Sequence, residues 1–318
     1  MPMVDMPLEE LHKYGGRNPK PADFDEFWDR GLAEMNEIDP KVDLTLHPFP
    51  APAAECFHLR FTGVGGSRVY AKYIRPKGAE NCPVVLQFHG YSGNSGDWND
   101  KLNFVSAGFA VAALDCRGQG GRSEDRGGIA GTTLRGHIIR GLNDSPENLL
   151  FRQIFLDTAQ LAKIVLGFPE IDAERAVCTG GSQGGGLTLA CAALEPRIKR
   201  AAPWYPFLCD YQRVWEMDLD VAAYEELRTF FRHFDPRHER KEEIFNRLGY
   251  IDVQYLAPRI KAEILMGMGL MDTITPPSSC FAAYNRIESK KQVVIYPDFG
   301  HEGLPGFGDT VFEFLTGV

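Results

Sequence analysis

Residues 176–194 read AVCTGGSQGGGLTLACAAL, and the order of residue types in this stretch decides the fold. Ala176–Thr179 is a short run without polar alternation, as expected of a strand covered on both faces. Gly180-Gly181-Ser182-Gln183-Gly184 then fits G-x-S-x-G, and an apolar helical stretch, Gly185–Leu194, follows. A serine on a sharp strand-to-helix turn has its hydroxyl projected away from the sheet. Glycines flank it because side chains there would collide with the neighbouring strand and helix. The helix amino terminus adds amide donors and partial positive charge beside a reacting carbonyl. Ser182 is therefore the candidate nucleophile.

The same texture extends outward in both directions. Val84–Phe88, Phe109–Leu114, Arg200–Trp204, Ile264–Met266 and Val293–Tyr296 are short apolar runs of the same kind. Helical patterns near 98–107, 147–166, 183–194, 276–287 and 306–315 separate them. Strand and helix alternating in this way predict an α/β fold, a doubly wound, mostly parallel sheet of the α/β-hydrolase type. Toward the amino terminus, Phe24, Phe27, Trp28, Leu32 and Met35 recur at helical spacing, which predicts an amphipathic helix over 22–36. Alternating segments at 42–47, 55–62 and 67–75, with Gly63–Gly66 between the last two, predict antiparallel strands at the sheet edge. The aromatic and charged segment 208–258 breaks the rhythm and reads as a helical insertion. The expected organisation is one domain over 1–318, with residues 1–80 as an amino-terminal helix and strand extension.

A serine hydroxyl needs a neighbouring base. His301 is best placed, in a loop after the strand 293–296, whereas His89 precedes the nucleophile. The acid should follow a late strand and lie between serine and histidine in the chain. Asp272 does so; Asp298 is a rival only three residues from His301. The oxyanion hole needs two backbone amides. Gln183, directly after the nucleophile, supplies one candidate; Tyr91, in Phe88-His89-Gly90-Tyr91, supplies the other, with His89 and Gly90 shaping the turn. Trp204, Tyr205 and Phe207 follow a strand end near the site, and Trp204 and Phe207 are the candidate substrate contacts.

Bulk properties narrow the classes. Of the 318 residues, 44% are hydrophobic and 24% charged, ordinary for a globular enzyme, and the net charge of -9 argues against nucleic acid or an anionic membrane as partner. No run approaches the ~18 apolar residues that would span a bilayer. Seven scattered cysteines without a C-x-x-C pair, and an opening without a basic-then-apolar leader, predict reduced thiols in a cytoplasmic protein. Asp115–Gly121 is glycine-rich but lacks phosphate-loop spacing, and His233 with His238 matches no metal motif, so no metal or cofactor is expected.

With these residues in hand, the sequence resembles carbohydrate esterase family 7, the acetyl xylan esterases and cephalosporin C deacetylases. Arg117-Gly118-Gln119, Gly180–Gly184 and His301-Glu302 appear in the family's order. The stretches 136–142 and 205–210 and the opening 22–28 also look like it, so the resemblance covers nearly the whole chain. It implies a cytoplasmic enzyme deacetylating short acetylated xylo-oligosaccharides, often also cephalosporin C. It implies a Ser182, His301 and Asp272 triad, oxyanion amides at Tyr91 and Gln183, and a hexamer with sites facing an internal space. Arg117 and Glu302 are expected to pair and brace the histidine loop. Another hydrolase on the same scaffold, a peptidase or an esterase of non-sugar esters, is the alternative. A non-enzymatic binding module would be expected to have lost a triad member, and all three are present.

Overall fold

The computed structural model describes residues 4–129 and 136–318. Its strands are β1 (Asp43–His47), β2 (Ala54–Thr62), β3 (Arg68–Pro76), β4 (Cys82–Phe88), β5 (Ala110–Asp115), β6 (Ile171–Gly181), β7 (Ile198–Trp204), β8 (Glu263–Gly269) and β9 (Lys291–Tyr296). Among the described residues they form one nine-stranded sheet in the order β1-β2-β3-β5-β4-β6-β7-β8-β9. The pairs from β1 to β3, and β3 with β5, are antiparallel. From β5 onward every pair is parallel. The sheet is thus mostly parallel, with the amino-terminal strands added as an antiparallel edge. Val84, Val85, Leu86, Ala176, Val177 and Cys178 are fully buried, so both faces of the central strands are covered and polar alternation is lost.

Two differences from expectation have local causes. Strand β6 begins at Ile171, five residues early, because Ile171 pairs with Cys82 across a register shift and polar Asp172, Glu174 and Arg175 mask that start. Residues 98–107 form a 3₁₀ turn, Asn99–Lys101, and one short helix, Leu102–Ser106, which gives way to Gly108 at φ 86°.

One face of the sheet carries the helices Leu150–Val165 and Gln183–Leu194. Every residue of Gln183–Leu194 is buried, as expected of a helix apolar on all sides. Outside it lies Phe24–Glu37, whose Trp28 stacks on Phe155 at 5.7 Å and donates a hydrogen bond to the Tyr250 carbonyl. The other face is covered by Leu102–Ser106 and Phe307–Thr316. Segment 208–258 contains the helices Tyr211–Glu216, Glu225–Phe234, Lys241–Gly249 and Val253–Leu256.

A buried ion pair ties the strand edge to the helical layer. Arg117 meets Asp157 through two hydrogen bonds of 2.6 Å and also donates to the Val64 carbonyl. Both side chains are buried. A Cβ on Gly63 would come within 2.5 Å of Asp157 Oδ1, so the glycine turn makes room for the pair. Burial raises the Asp157 carboxyl and the guanidinium opposes that shift. Removing one partner of such a pair leaves an uncompensated buried charge, at a cost of about 3–5 kcal/mol. Asp157→Ala should lower stability by that amount in urea unfolding. A change below about 1 kcal/mol would contradict the arrangement.

Candidate active site

The strand-to-helix turn between β6 and Gln183–Leu194 puts Ser182 at φ 58°, ψ -119°, a conformation that non-glycine residues rarely adopt. Backbone bonds hold it there. Ser182 N–H donates to the Trp204 carbonyl at 3.0 Å, and the Ser182 carbonyl accepts from Gly186 and Phe207. A Cβ on Gly180 would stand 2.5 Å from the Phe88 carbonyl oxygen, and one on Gly184 only 2.1 Å from it. The pattern G-x-S-x-G is therefore a contact requirement between β6, the helix and the end of β4.

His301 comes from the loop after β9. Its Nε2 lies 3.0 Å from Ser182 Oγ, and its Nδ1 lies 2.8 Å from Asp272 Oδ2. Asp272 is 1% exposed, and its Oδ1 accepts from the Ile274 and Thr275 amides at 2.8 Å each. Thr275 Oγ1 adds a third bond, to Oδ2, at 2.9 Å. With a carboxylate facing Nδ1, the partners assign the proton to Nδ1 and leave Nε2 as acceptor for the serine hydroxyl. The rival Asp298 is exposed, and no hydrogen bond joins it to His301.

Across the cleft, the loop after β4 is pinned by His89. Nδ1 of that ring donates to the Gly90 carbonyl at 2.7 Å and Nε2 accepts from the Cys116 amide at 3.0 Å. Burial lowers the His89 pKa, so its ring serves the turn as a neutral imidazole. Gln119 and Gln183 exchange side-chain hydrogen bonds at 2.9 and 3.0 Å, and Gln119 Oε1 also accepts from the Ser92 amide. Gln119 thereby links the Tyr91–Ser92 loop to the residue after the serine, and Gly118 takes φ 63° at the bend before it.

The expected pairing of Arg117 with Glu302 is corrected. Arg117 is engaged by Asp157 on the helical face of the sheet, and Glu302 turns back to accept from the Gly300 amide at 3.0 Å. Phe207 is 1% exposed and packs edge-on behind Tyr91 at 5.7 Å, so it supports that ring from beneath. Trp204 is half-buried against Phe307. Tyr205 stands closer to the reacting groups, 4.6 Å from the His301 ring, with its phenol pKa raised by burial and by Asp272. His238 packs on Phe231 and Trp215.

Sequence reasoning missed Thr275 and Glu226. Thr275 has a local signal, since it stands three residues after the acid. Glu226 has none, being brought in from the helix Glu225–Phe234. Buried there, it accepts from the Tyr91 hydroxyl and, at 2.9 Å, from the Ile139 amide.

A mostly parallel sheet with a serine on its central strand-to-helix turn, and a histidine and an aspartate arriving from later strands, defines an α/β-hydrolase. The chain belongs to the acetyl xylan esterase (AXE1) family, which it matches over residues 1–318. It is similar to the crystal structure of acetyl xylan esterase 1 from Thermoanaerobacterium sp. JW/SL YS485, with 58% identity, 99% of each chain covered and a TM-score of 0.97. It is also similar to an acetyl xylan esterase from Paenibacillus sp. R4, at 37% identity, with 98% of this chain and 99% of that one covered and a TM-score of 0.94. Acetyl esterase Axe7A of Xylanibacter ruminicola is 26% identical over 294 residues, 91% of this chain. The chain spans 64% of the length of that relative.

Glu226 makes stability depend on pH. Burial pushes its carboxyl up to about 7, so the folded chain holds a proton there that the unfolded chain has released. The associated stability is full below the ordinary carboxylate range and is lost as pH rises toward about 7. Glu226→Gln should flatten the fall in Tm between pH 5 and 7.5 relative to the parent. Parallel Tm profiles for the two proteins would contradict this.

Proposed function

We propose that the protein is a serine esterase that removes acetyl groups from small O-acetylated sugars through an acyl-enzyme on Ser182. The observation that carries this reading is the relay from Ser182 Oγ through both ring nitrogens of His301 to Asp272. His301 Nε2 takes the hydroxyl proton as Ser182 Oγ bonds to the acetyl carbonyl carbon. Asp272 holds the tautomer and stabilises the imidazolium. The amides of Gln183 and Tyr91 receive the oxyanion, and the imidazolium returns its proton to the departing sugar oxygen. Water, deprotonated by the same ring, then releases acetate and restores the serine.

The named relatives, acetyl xylan esterases and an acetyl esterase, support an acetylated, xylan-derived sugar as the substrate class, and the family resemblance adds short xylo-oligosaccharides and cephalosporin C. The family resemblance supports a hexamer whose sites face an internal space. Seven free, buried cysteines support a cytoplasmic setting, where thiols stay reduced. No helix among the described residues is long and apolar enough to cross a membrane.

Ser182→Ala should lower kcat by a factor on the order of 10⁶ while leaving the fold intact. Asp272→Asn should be severely impaired and Asp298→Asn only mildly. Acetyl-ester hydrolysis by the purified variants, with circular dichroism, checks both. Residual activity above a few per cent in Ser182→Ala, or a reversed ranking of the aspartates, would remove the assignment.

Acyl preference should be narrow. One methylene in an apolar pocket is worth only about 1–3 kcal/mol, so a sharp cutoff requires steric exclusion. Trp204 and Tyr205, in edge contact with each other beside the His301 ring, are the aromatic walls offered for it. On a p-nitrophenyl ester series acetate should lead butyrate and octanoate, and equal rates on acetate and octanoate would refute the walled pocket.

A further inference from the structure

The face of the sheet covered by Leu102–Ser106 and Phe307–Thr316 changes character at the carboxyl ends of the central strands. One cross-strand row, Ile74–Val111–Val85–Val177, is wholly apolar and fully buried. The next row on the same face is Lys72–Ala113–Gln87–Thr179, small or polar at every position. Above this second row lies an open cavity of about 380 Å³, lined by loop residues Asn94–Gly96 and Lys101 and bounded by Gly181 and Trp204. Ser182, His301 and Asp272 are not among its walls.

Lys101 is 4% exposed, and its ammonium makes no hydrogen bond or ion pair with any described residue. The ammonium sits beside Gly96, on the cavity wall, 3.3 Å from where a glycine Cβ would stand. Ser95 and Gln87 line the same space, and their side chains likewise make no hydrogen bond among the described residues. Lysine offers three donors and no acceptor, and Lys101 Nζ is not among the fully buried unpartnered atoms, so its donors face the cavity and are open to an acceptor there. Asp100 also stands beside Gly96, but neither it nor Asp115 makes an ion pair with the ammonium. Asp115 accepts from the Ser95 and Arg122 amides, and Asp100 accepts from the Asp97 amide.

We infer that this cavity is a binding site for a small monocarboxylate, whose two oxygens take the Lys101, Gln87 and Ser95 donors. Phe88, Ala113 and Trp204 supply apolar wall for its alkyl end. A monoanion is favoured over phosphate because Lys101 is the one ammonium or guanidinium among the lining residues, and Asp97, Asp100 and Asp115 share its charge. Lys72, donating to the Gly96 carbonyl and lying over Trp98, fixes the loop that lines the space and adds charge against cations. Ligands of open α/β sheets bind outside the carboxyl ends of the strands, which is where this row lies. The inference stands on the cavity and does not rest on the esterase reading, although acetate belongs to the class.

The test is ligand-observed NMR of carboxyl-labelled acetate on the full chain carrying Ser182→Ala, with sodium chloride at equal ionic strength as control. Saturable acetate binding is expected, weakened at least tenfold by Lys101→Met, which keeps the aliphatic stem. Gln87→Leu, on a strand and outside the loop, is the second variant and should also weaken binding. Absence of saturable binding, undiminished binding in both variants, or displacement of acetate by lower concentrations of phosphate would each overturn the assignment. The readout is binding to a chain without its nucleophile, so its failure is separate from a failure of the esterase reading.

Discussion

The Phe88 carbonyl oxygen occupies the space into which any side chain on Gly180 or Gly184 would project. That contact locks the end of β4 against both sides of the serine turn, and the rest of the site takes its place from it. Because β4 and β6 pair in parallel with Phe88 opposite Gly180, the chain leaves both strands at one level. The His89–Tyr91 turn and Ser182 consequently emerge side by side. A residue with a side chain at either glycine would have to separate the strand from the helix, and the Tyr91 turn would move away from Ser182. The unfavourable backbone at Ser182 persists because its N–H and carbonyl are both bonded to the chain around the end of β7.

Gln119 and Arg117 extend this lock in two directions. Gln119 joins the Ser92 amide to the Gln183 side chain, so the two loops bearing the candidate oxyanion amides share one carboxamide clamp. Two residues earlier, Arg117 is drawn to the opposite side and buried against Asp157. One short segment after β5 thus anchors to the helical layer and steadies the site.

The sheet and the relay were legible in the sequence because each rests on local pattern. Uninterrupted apolar runs mark strands covered on both faces, and G-x-S-x-G records a steric contact that recurs wherever this turn forms. Asp272 and His301 were legible from chain order and strand ends. The partner of Arg117 was not, because Asp157 lies within a helix and carries no motif, whereas Glu302 stands beside a signature residue. Glu226 was equally hidden, since only tertiary folding brings segment 208–258 over Tyr91. Phe207 was read as a substrate contact from its position after β7. Burial beneath Tyr91 is a property of packing, which periodicity does not encode.

Tyr91 joins these observations, for its backbone and its side chain face different parts of the molecule. Its backbone belongs to the turn beside Ser182, while its hydroxyl reaches Glu226 and its ring is packed by His137 and Phe207. The Ile139 amide binds the other oxygen of that carboxylate, so residues 137–139, the helix Glu225–Phe234 and the Tyr91 loop meet at one side chain. Such a cross-brace complements the hold from the sheet side, where the His89 ring and the Gln119 and Gln183 carboxamides bind the turn. Sequence changes in 208–258 that alter the burial of Glu226 therefore reach the turn beside Ser182 through Tyr91.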